Sequence, residues 1–527
     1  ERHLYTNRQE ATALWYHDHT MGMTRINCYA GLAGVYLLRD RWDTGLPDNP
    51  LGLPAGDHEL PLVLMERAFN DDGTLQIRGF KLVPQGSWEG GYVGDIGVVN
   101  GVVWPEIRVD RGMYRLRIFN GGSNSVWNLY FSNAMTFWVL GNDGGLLDAP
   151  VAVRSLRIAP GERADLLVPF GDLAAGDTVT LNNDEPVPGQ SAVIGSVPMT
   201  LFCRFRANSA LGSRGTVPRT LRGGTNQPPR LPTLGPPRRI RDVTIGQFTD
   251  LSRFPPAIMA LNNLPFDTED MERPLQGTVE RWNLVNITDD PHPIHIHLVT
   301  FQVLGRQALD TNSYLMANPR PEYGSYWAPP ADRFLRGSFI PRGEHEAGPK
   351  DTVIADAHSV TSILVRWPTA DELGFDPDAT HMPRHDRGGH GSHPIQGYVW
   401  HCHLFDHEDH DMMQPFRLLS DPDAPAHPHD ETPIHDAGAS EHSEFDAAVH
   451  PHDAAADASA AHDETDHPSG HTAFDAGPHP IDHEHDHEPP SEEASSAGCA
   501  VRASQRDNGL ALTAAALAAA ALSRATK

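Results

Sequence analysis

Three short segments concentrate the side chains able to hold a transition metal: Trp15-Tyr16-His17-Asp18-His19, His292-Pro293-Ile294-His295-Ile296-His297, and His401-Cys402-His403 followed by His407 and Met412. In each, two histidines stand at i and i+2, a spacing that on a strand sends both imidazoles to one face. The pairs are His17/His19, His295/His297 and His401/His403. Imidazole pairs converging from different strands suit a first-row transition metal, and copper is the strongest imidazole binder of that series.

The third segment adds a second kind of site. Cys402 lies between its two histidines and so points to the opposite face, where a thiolate cannot share the metal held by His401 and His403. With His407 and one further histidine, Cys402 can build a His₂Cys site, and Met412 is placed to be the weak axial ligand of a blue copper centre. His292, offset by a Pro turn from the His295/His297 pair, is the natural second histidine. Copper at Cys402 would take one electron at a time, and the backbone of residues 401 to 403 would join it to a second, His-only cluster. A single buried His or Cys is most often a satisfied core residue, but ten ligand-type residues with mutually consistent facing are not explained that way.

The elements that must position these residues read as strands. Apolar runs bounded by Gly, Pro, Asn and Asp dominate, and no long stretch of 3.6-residue period precedes the C-terminal end, so the expected class is all-β. Within 113–119, Tyr114, Leu116 and Ile118 share one face and Arg115 and Arg117 the other, as a half-buried antiparallel strand requires. Similar strands are expected at 61–65, 165–168 and 362–367. The stretch 206–239, rich in Pro, Gly, Ser and Arg, marks a loop or interdomain connection, and a softer break falls at 48–57.

Charge separates the body from the tail. The 527 residues carry 41 Lys and Arg against 69 Asp and Glu, a formal net charge of -28, which argues against nucleic acid as a partner. From position 421 onward there are 21 acidic and 4 basic side chains and thirteen histidines, with almost no core-forming residues, so 421–497 is expected to be a disordered linker. The last segment, 498–527, combines Gly498-Cys499, an apolar run from Leu510 to Leu522 and the closing Arg524 and Lys527. Thirteen residues are short for a membrane span, which takes about 20. The segment reads either as a disordered or locally helical Ala-rich end, or, since it resembles the C-terminal surface-sorting tails of myxobacterial exported proteins, as an attachment to the membrane or cell surface. Four cysteines, Cys28, Cys203, Cys402 and Cys499, are too few and scattered for a disulfide framework.

The whole combination resembles the multicopper oxidase family, most closely its bacterial spore-coat laccase and bilirubin oxidase-like branch, over about residues 4 to 419. Beyond the metal motifs the shared segments are Tyr29-Ala30-Gly31-Leu32-Ala33-Gly34, Val99-Asn100-Gly101, Asn142-Asp143-Gly144-Gly145, Ala159-Pro160-Gly161-Glu162-Arg163-Ala164-Asp165, and the run from His401 to Asp409. The resemblance implies cupredoxin-like Greek-key β-sandwiches: 1–50 as the C-terminal remnant of a first domain, 51–215 as the second and 216–420 as the third.

The resemblance further implies that His292, Cys402, His407 and Met412 form a mononuclear type 1 copper site, that His295 binds the type 2 copper, and that His17, His19, His297, His401 and His403 bind paired type 3 coppers, four coppers per complete enzyme. Glu408 matches an acid that the family uses near the dioxygen-reducing cluster, implying a catalytic role in proton supply. The implied activity is laccase-like: one-electron oxidation of phenols, bilirubin-like tetrapyrroles or similar small donors, coupled to four-electron reduction of dioxygen to water. A non-enzymatic copper-binding or surface-coat protein is the alternative. It draws on one departure, because the family's His-x-His-Gly motif, upstream of the Trp-Tyr-His-x-His segment, has no counterpart here. An N-terminally incomplete oxidase, poor at reducing dioxygen, is therefore expected. A processed or truncated start at Glu1 and an exported protein, periplasmic or at the cell surface, are expected as well.

Overall fold

The computed structural model describes residues 5–76, 94–186, 199–250 and 257–420, apart from 267, 269–271, 378, 380–381, 386–391 and 396. The expectations for 421–497 and 498–527, including the tail histidines and Cys499, lie outside these residues. The fold is mainly β with cupredoxin-like sandwiches, and the helices are short: Thr24–Tyr29, Thr311–Ala317, Ala370–Leu373 and Phe405–Glu408. Among the described residues no helix is long and apolar enough to cross a membrane.

Two pairs of sheets carry the cores. Strands between Glu59 and Leu211 form a seven-stranded and a five-stranded sheet, and strands between Arg239 and Phe416 form a six-stranded and a four-stranded sheet. In both, chain neighbours are often not sheet neighbours, the mark of Greek-key crossovers. Leu64, Leu116, Ile118, Trp127, Phe131, Phe205 and others fill the first core. Trp282, Leu284, Ile294, Val353, Ile363, Trp367, Trp400 and Phe416 fill the second, in which Cys402 and Met412 are also packed. At roughly 1.5–3 kcal/mol for each large apolar side chain buried, these cores supply most of the drive to fold. A smaller antiparallel pair, Ala13–His17 with Ala33–Leu37, stands apart from both.

The strand Met113–Asn120 shows where period-two reasoning stops short. Tyr114, Leu116 and Ile118 do enter the core, yet Arg115 and Arg117 on the other face are buried too, at 1% and 3% exposure. The strand is parallel to Glu59–Arg67 and antiparallel to Arg163–Pro169. Its charged face is covered by the segment carrying Asp43. Arg115 Nη2 binds Asp43 Oδ2 at 2.7 Å and Asp165 Oδ2 at 2.6 Å, and Arg117 reaches Glu59, Asp43 and Asp165, each at 2.9 Å. Arg39 closes the group on Glu59 at 2.8 Å. Three cations meet three carboxylates, so the buried charge is balanced. Burial alone would raise the Asp43 pKa, but Arg115 and Arg117 outweigh it and hold the carboxyl below the ordinary range.

The expected connection at 206–239 is shorter than its composition suggests. The strand Leu201–Leu211 runs into it, pairing with Thr178–Asn183 as far as Arg206 and with Glu106–Arg111 as far as Leu211. Residues 212–238 then lack regular structure, although Leu221 and Arg222 inside them are buried. Arg222 Nε donates to the Leu146 carbonyl at 2.8 Å, and its guanidinium pairs with Glu10.

Candidate metal centres

Strand parity builds two centres from one pair of neighbouring strands. In the four-stranded sheet, His292–Ile296 pairs antiparallel with Tyr398–Cys402, with Ile294 opposite Cys402 and His295 opposite His401. Residues 292 and 294 therefore share the face of Cys402, and 295 shares the face of His401. The expected Pro turn after His292 is absent: Pro293 is part of the strand, opposite Ile354, and an odd separation alone sends His292 and His295 to opposite sides.

On the Cys402 face, His292 Nδ1 lies 3.4 Å from Cys402 Sγ, His407 Nδ1 lies 3.9 Å from that sulfur, and the two Nδ1 atoms are 3.3 Å apart. All three residues are buried, and their ligand atoms form a compact trigonal group. Thr288 selects the ligand nitrogen of His292. Its hydroxyl donates to Asn286 Oδ1 at 2.8 Å, so its oxygen can accept from His292 Nε2–H at 2.8 Å, leaving Nδ1 bare toward the sulfur.

His407 returns to the sulfur because the chain turns back through the helical turn Phe405–Glu408 and Asp411, whose φ is 71°. Met412 N then donates to the His407 carbonyl and Cys402 N to the Met412 carbonyl, both at 3.0 Å. These bonds bring Met412 beside Cys402 in a fully buried position.

On the opposite face six imidazoles converge: His17, His19, His295, His297, His401 and His403. Ring centroids of His19 and His401 are 4.8 Å apart, those of His19 and His297 5.0 Å, and those of His17 and His403 5.2 Å. The His19 and His401 Nε2 atoms face each other at 3.2 Å, and His297 joins them in one set of ligand atoms. His295 sits 5.3 Å from His401 and 5.9 Å from His403.

Backbone carbonyls fix the tautomers. Nδ1–H of His17 donates to Asp18 O at 2.8 Å, that of His295 to Asp351 O at 2.8 Å, and that of His401 to Cys402 O at 3.1 Å. Each leaves Nε2 as the free donor. Trp15 stacks on His403 at 5.5 Å, and Phe405 packs against both His17 and His403.

Glu408 stands behind this cluster. It is fully buried, with Oε1 3.4 Å from His19 Nδ1 and Oε2 3.2 Å from His401 Nδ1, so one carboxylate backs the two imidazoles whose Nε2 atoms meet. Burial pushes its pKa up, against the pull of His19 and His17.

Burial also favours the neutral, metal-binding form of His17, His401 and His407. The His17 pKa is lowered to about 4, and those of His401 and His407 to about 3. Desolvation likewise pushes the Cys402 thiol up, so a bound cation is what would make it a thiolate.

Every metal-ligating residue expected from the sequence thus lies in one of two adjacent groups, and Glu408 touches one of them. Sequence reasoning missed Thr288 and Asp351, which orient ligands without carrying a ligand motif, and read Trp15 only as part of the first segment, not as a ring stacked on His403.

The donor sets can be compared with known proteins. Residues 236–375 match the family described as multicopper oxidase. The chain is similar to a laccase of Bacillus stratosphericus, 33% identical over 80% of this chain and 74% of the relative. It is also similar to a laccase of Bacillus subtilis strain 168, 31% identical over 79% of this chain and 72% of the relative. Among solved structures, the McoA multicopper oxidase of Aquifex aeolicus in its 2F4 variant superposes with a TM-score of 0.56 at 25% identity, covering 78% of this chain and 77% of that one.

Proposed function

From the premise that this chain belongs to the multicopper oxidase family, and so is a copper-dependent oxidoreductase, we propose how its residues divide the work. His292, Cys402 and His407, with Met412 beside them, would hold the mononuclear copper. His17, His19, His295, His297, His401 and His403 would hold the cluster. The donor sets fit: one is a buried His₂Cys group with an adjacent thioether, and the other is made of imidazoles alone. Copper bound in these sites would supply one-electron redox chemistry at the Cys402 group and dioxygen reduction at the imidazole group.

The chain's own part follows from its geometry. Cys402 is joined by single peptide units to His401 and His403, which gives a short covalent route between the two faces of one sheet. Glu408, protonated more readily than an ordinary carboxyl and set behind His19 and His401, is placed to hold a proton for the cluster. Burial of His292 and Cys402 keeps water from the electron-accepting site, and His407, at 7% exposure, is the least covered of its three strong ligands.

The observation carrying this assignment is the parity of 292, 294 and 296 against 295 and 297, which feeds two donor sets from one strand. Copper-loaded protein is expected to show the intense blue absorption of a Cu–thiolate bond and to consume oxygen with a phenol. Cys402→Ser should abolish the blue colour and the phenol oxidation while leaving cluster copper bound. A colourless wild-type protein holding its full copper would refute the assignment. An exported enzyme at the cell surface belongs to the same proposal, supported by the Gly498-Cys499 and Leu510 to Leu522 pattern. Fractionation of producing cells tests it, and copper oxidase confined to the cytoplasm would count against it.

A further inference from the structure

We propose that Arg163 is a positioning residue for the six-imidazole cluster, although it lies in the Glu59 to Leu211 sheets, which contribute no imidazole to that cluster. The inference rests on the reading of those imidazoles as copper ligands. Arg163 is 4% exposed and begins the strand Arg163–Pro169. Its guanidinium holds three parts of the chain at once, one a ligand-bearing strand and two that lie against ligands. Nη1 and Nη2 form a bidentate pair with Asp351, at 2.7 Å to Oδ1 and 2.6 Å to Oδ2. Nε donates to the Ala13 carbonyl at 3.2 Å, on the strand that ends at His17. Nη1 also donates to its own Gly161 carbonyl at 2.8 Å.

Two of these contacts lead directly to an imidazole, and the third lies on the strand that carries one. Asp351 presents its carbonyl to His295 Nδ1 at 2.8 Å and to Ile296 N at 3.0 Å, so fixing the Asp351 side chain fixes the group that selects the His295 tautomer. Gly161, at φ 86°, lies so close to His403 that a Cβ there would stand 2.5 Å from His403 Cδ2, which makes its backbone a wall for that ring. Ala13 and His17 lie four positions apart on one strand and therefore share a face.

Asp143 completes the clamp. Its carboxylate accepts from Arg163 N at 2.7 Å, from Asp351 N at 3.1 Å and from Thr352 N at 3.2 Å, and its carbonyl accepts from Arg163 Nη2 at 3.1 Å and from Thr12 at 2.8 Å. A planar fork is needed for this arrangement, since a lysine ammonium has a single centre and cannot span both Asp351 oxygens and the Ala13 carbonyl.

The blue site takes all its ligands from 292–412, none of them a hydrogen-bond or ion-pair partner of Arg163, so it serves as the internal control. Arg163→Lys and Asp351→Asn, each loaded with copper as the full chain, should keep the blue absorption of the wild type. Both should bind cluster copper about 10–100-fold more weakly, as loss of a partner to a ligand does, with altered type 2 copper parameters in electron paramagnetic resonance. The double variant should lose little more than either single one, because both break one clamp. Wild-type cluster affinity and spectra in Arg163→Lys would overturn the proposal. So would equal loss of blue and cluster copper in both variants, which would mark a role in folding alone. A wild-type chain with no copper beyond the blue one would instead overturn the ligand assignment on which the proposal stands.

Discussion

Met412 is fully buried beside Cys402, where a thioether is a weak donor that stabilises the oxidised metal. Met412→Leu should keep the blue copper and raise its reduction potential, measured by redox titration of the absorption band; a lowered potential would remove Met412 from the axial role. A second residue-scale outcome concerns Glu66, fully buried, whose Oε1 accepts from Ser123 N at 2.8 Å while Oε2 finds no partner. Burial pushes its pKa to about 7 from 4.5. Below pH 4.5 both folded and unfolded chains hold the proton; between there and pH 7 the unfolded chain releases it first. Stability is therefore lost as pH rises through that window, by roughly 3 kcal/mol for a shift of this size. Glu66→Gln, able to accept the same backbone bonds, should remove this component when denaturant midpoints at pH 5 and pH 8 are compared. An unchanged difference would show that Glu66 is ionised in the folded protein. The ligands were legible in the sequence because an i, i+2 pair is a local signal. Thr288, Asp351 and Arg163 were not, because what they do depends on contacts across the fold: Arg163 lies 188 positions from Asp351.

At the scale of elements, alternation told which side chains of a strand share a face but not what covers that face. Tyr114, Leu116 and Ile118 were correctly grouped, as were the strands around 61–65, 165–168 and 362–367. The fate of Arg115 and Arg117 depended on Asp43, Glu59 and Asp165, and charge on a strand reads as solvent-facing until its partners are known. The Pro turn failed for a related reason: proline removes one donor, yet the strand keeps its direction, and His403 N still donates to the Pro293 carbonyl at 2.7 Å. Removing one member of the buried group leaves cations unpaired, so Asp43→Ala should cost about 3–5 kcal/mol. Guanidinium unfolding of the metal-free chain measures it, and a loss below about 1 kcal/mol, the worth of a surface pair, would show that water reaches the group.

At the scale of the whole molecule, the core clusters end at Leu418 among the described residues, so a chain stopped after Ser420 should keep its unfolding midpoint and its blue copper. Loss of either would assign the remaining residues a structural part. The cluster also has a history within each molecule's synthesis. His19 and His401, whose nitrogens meet at 3.2 Å, are 382 positions apart in the chain. A ribosome delivers the first of them long before the second, and joining them closes a very long loop whose entropy no local contact offsets. The complete cluster can therefore take up metal only after His401 and His403 have been made, and a nascent chain halted before His292 offers copper the His17/His19 pair alone of the cluster ligands, from which it can be lost again.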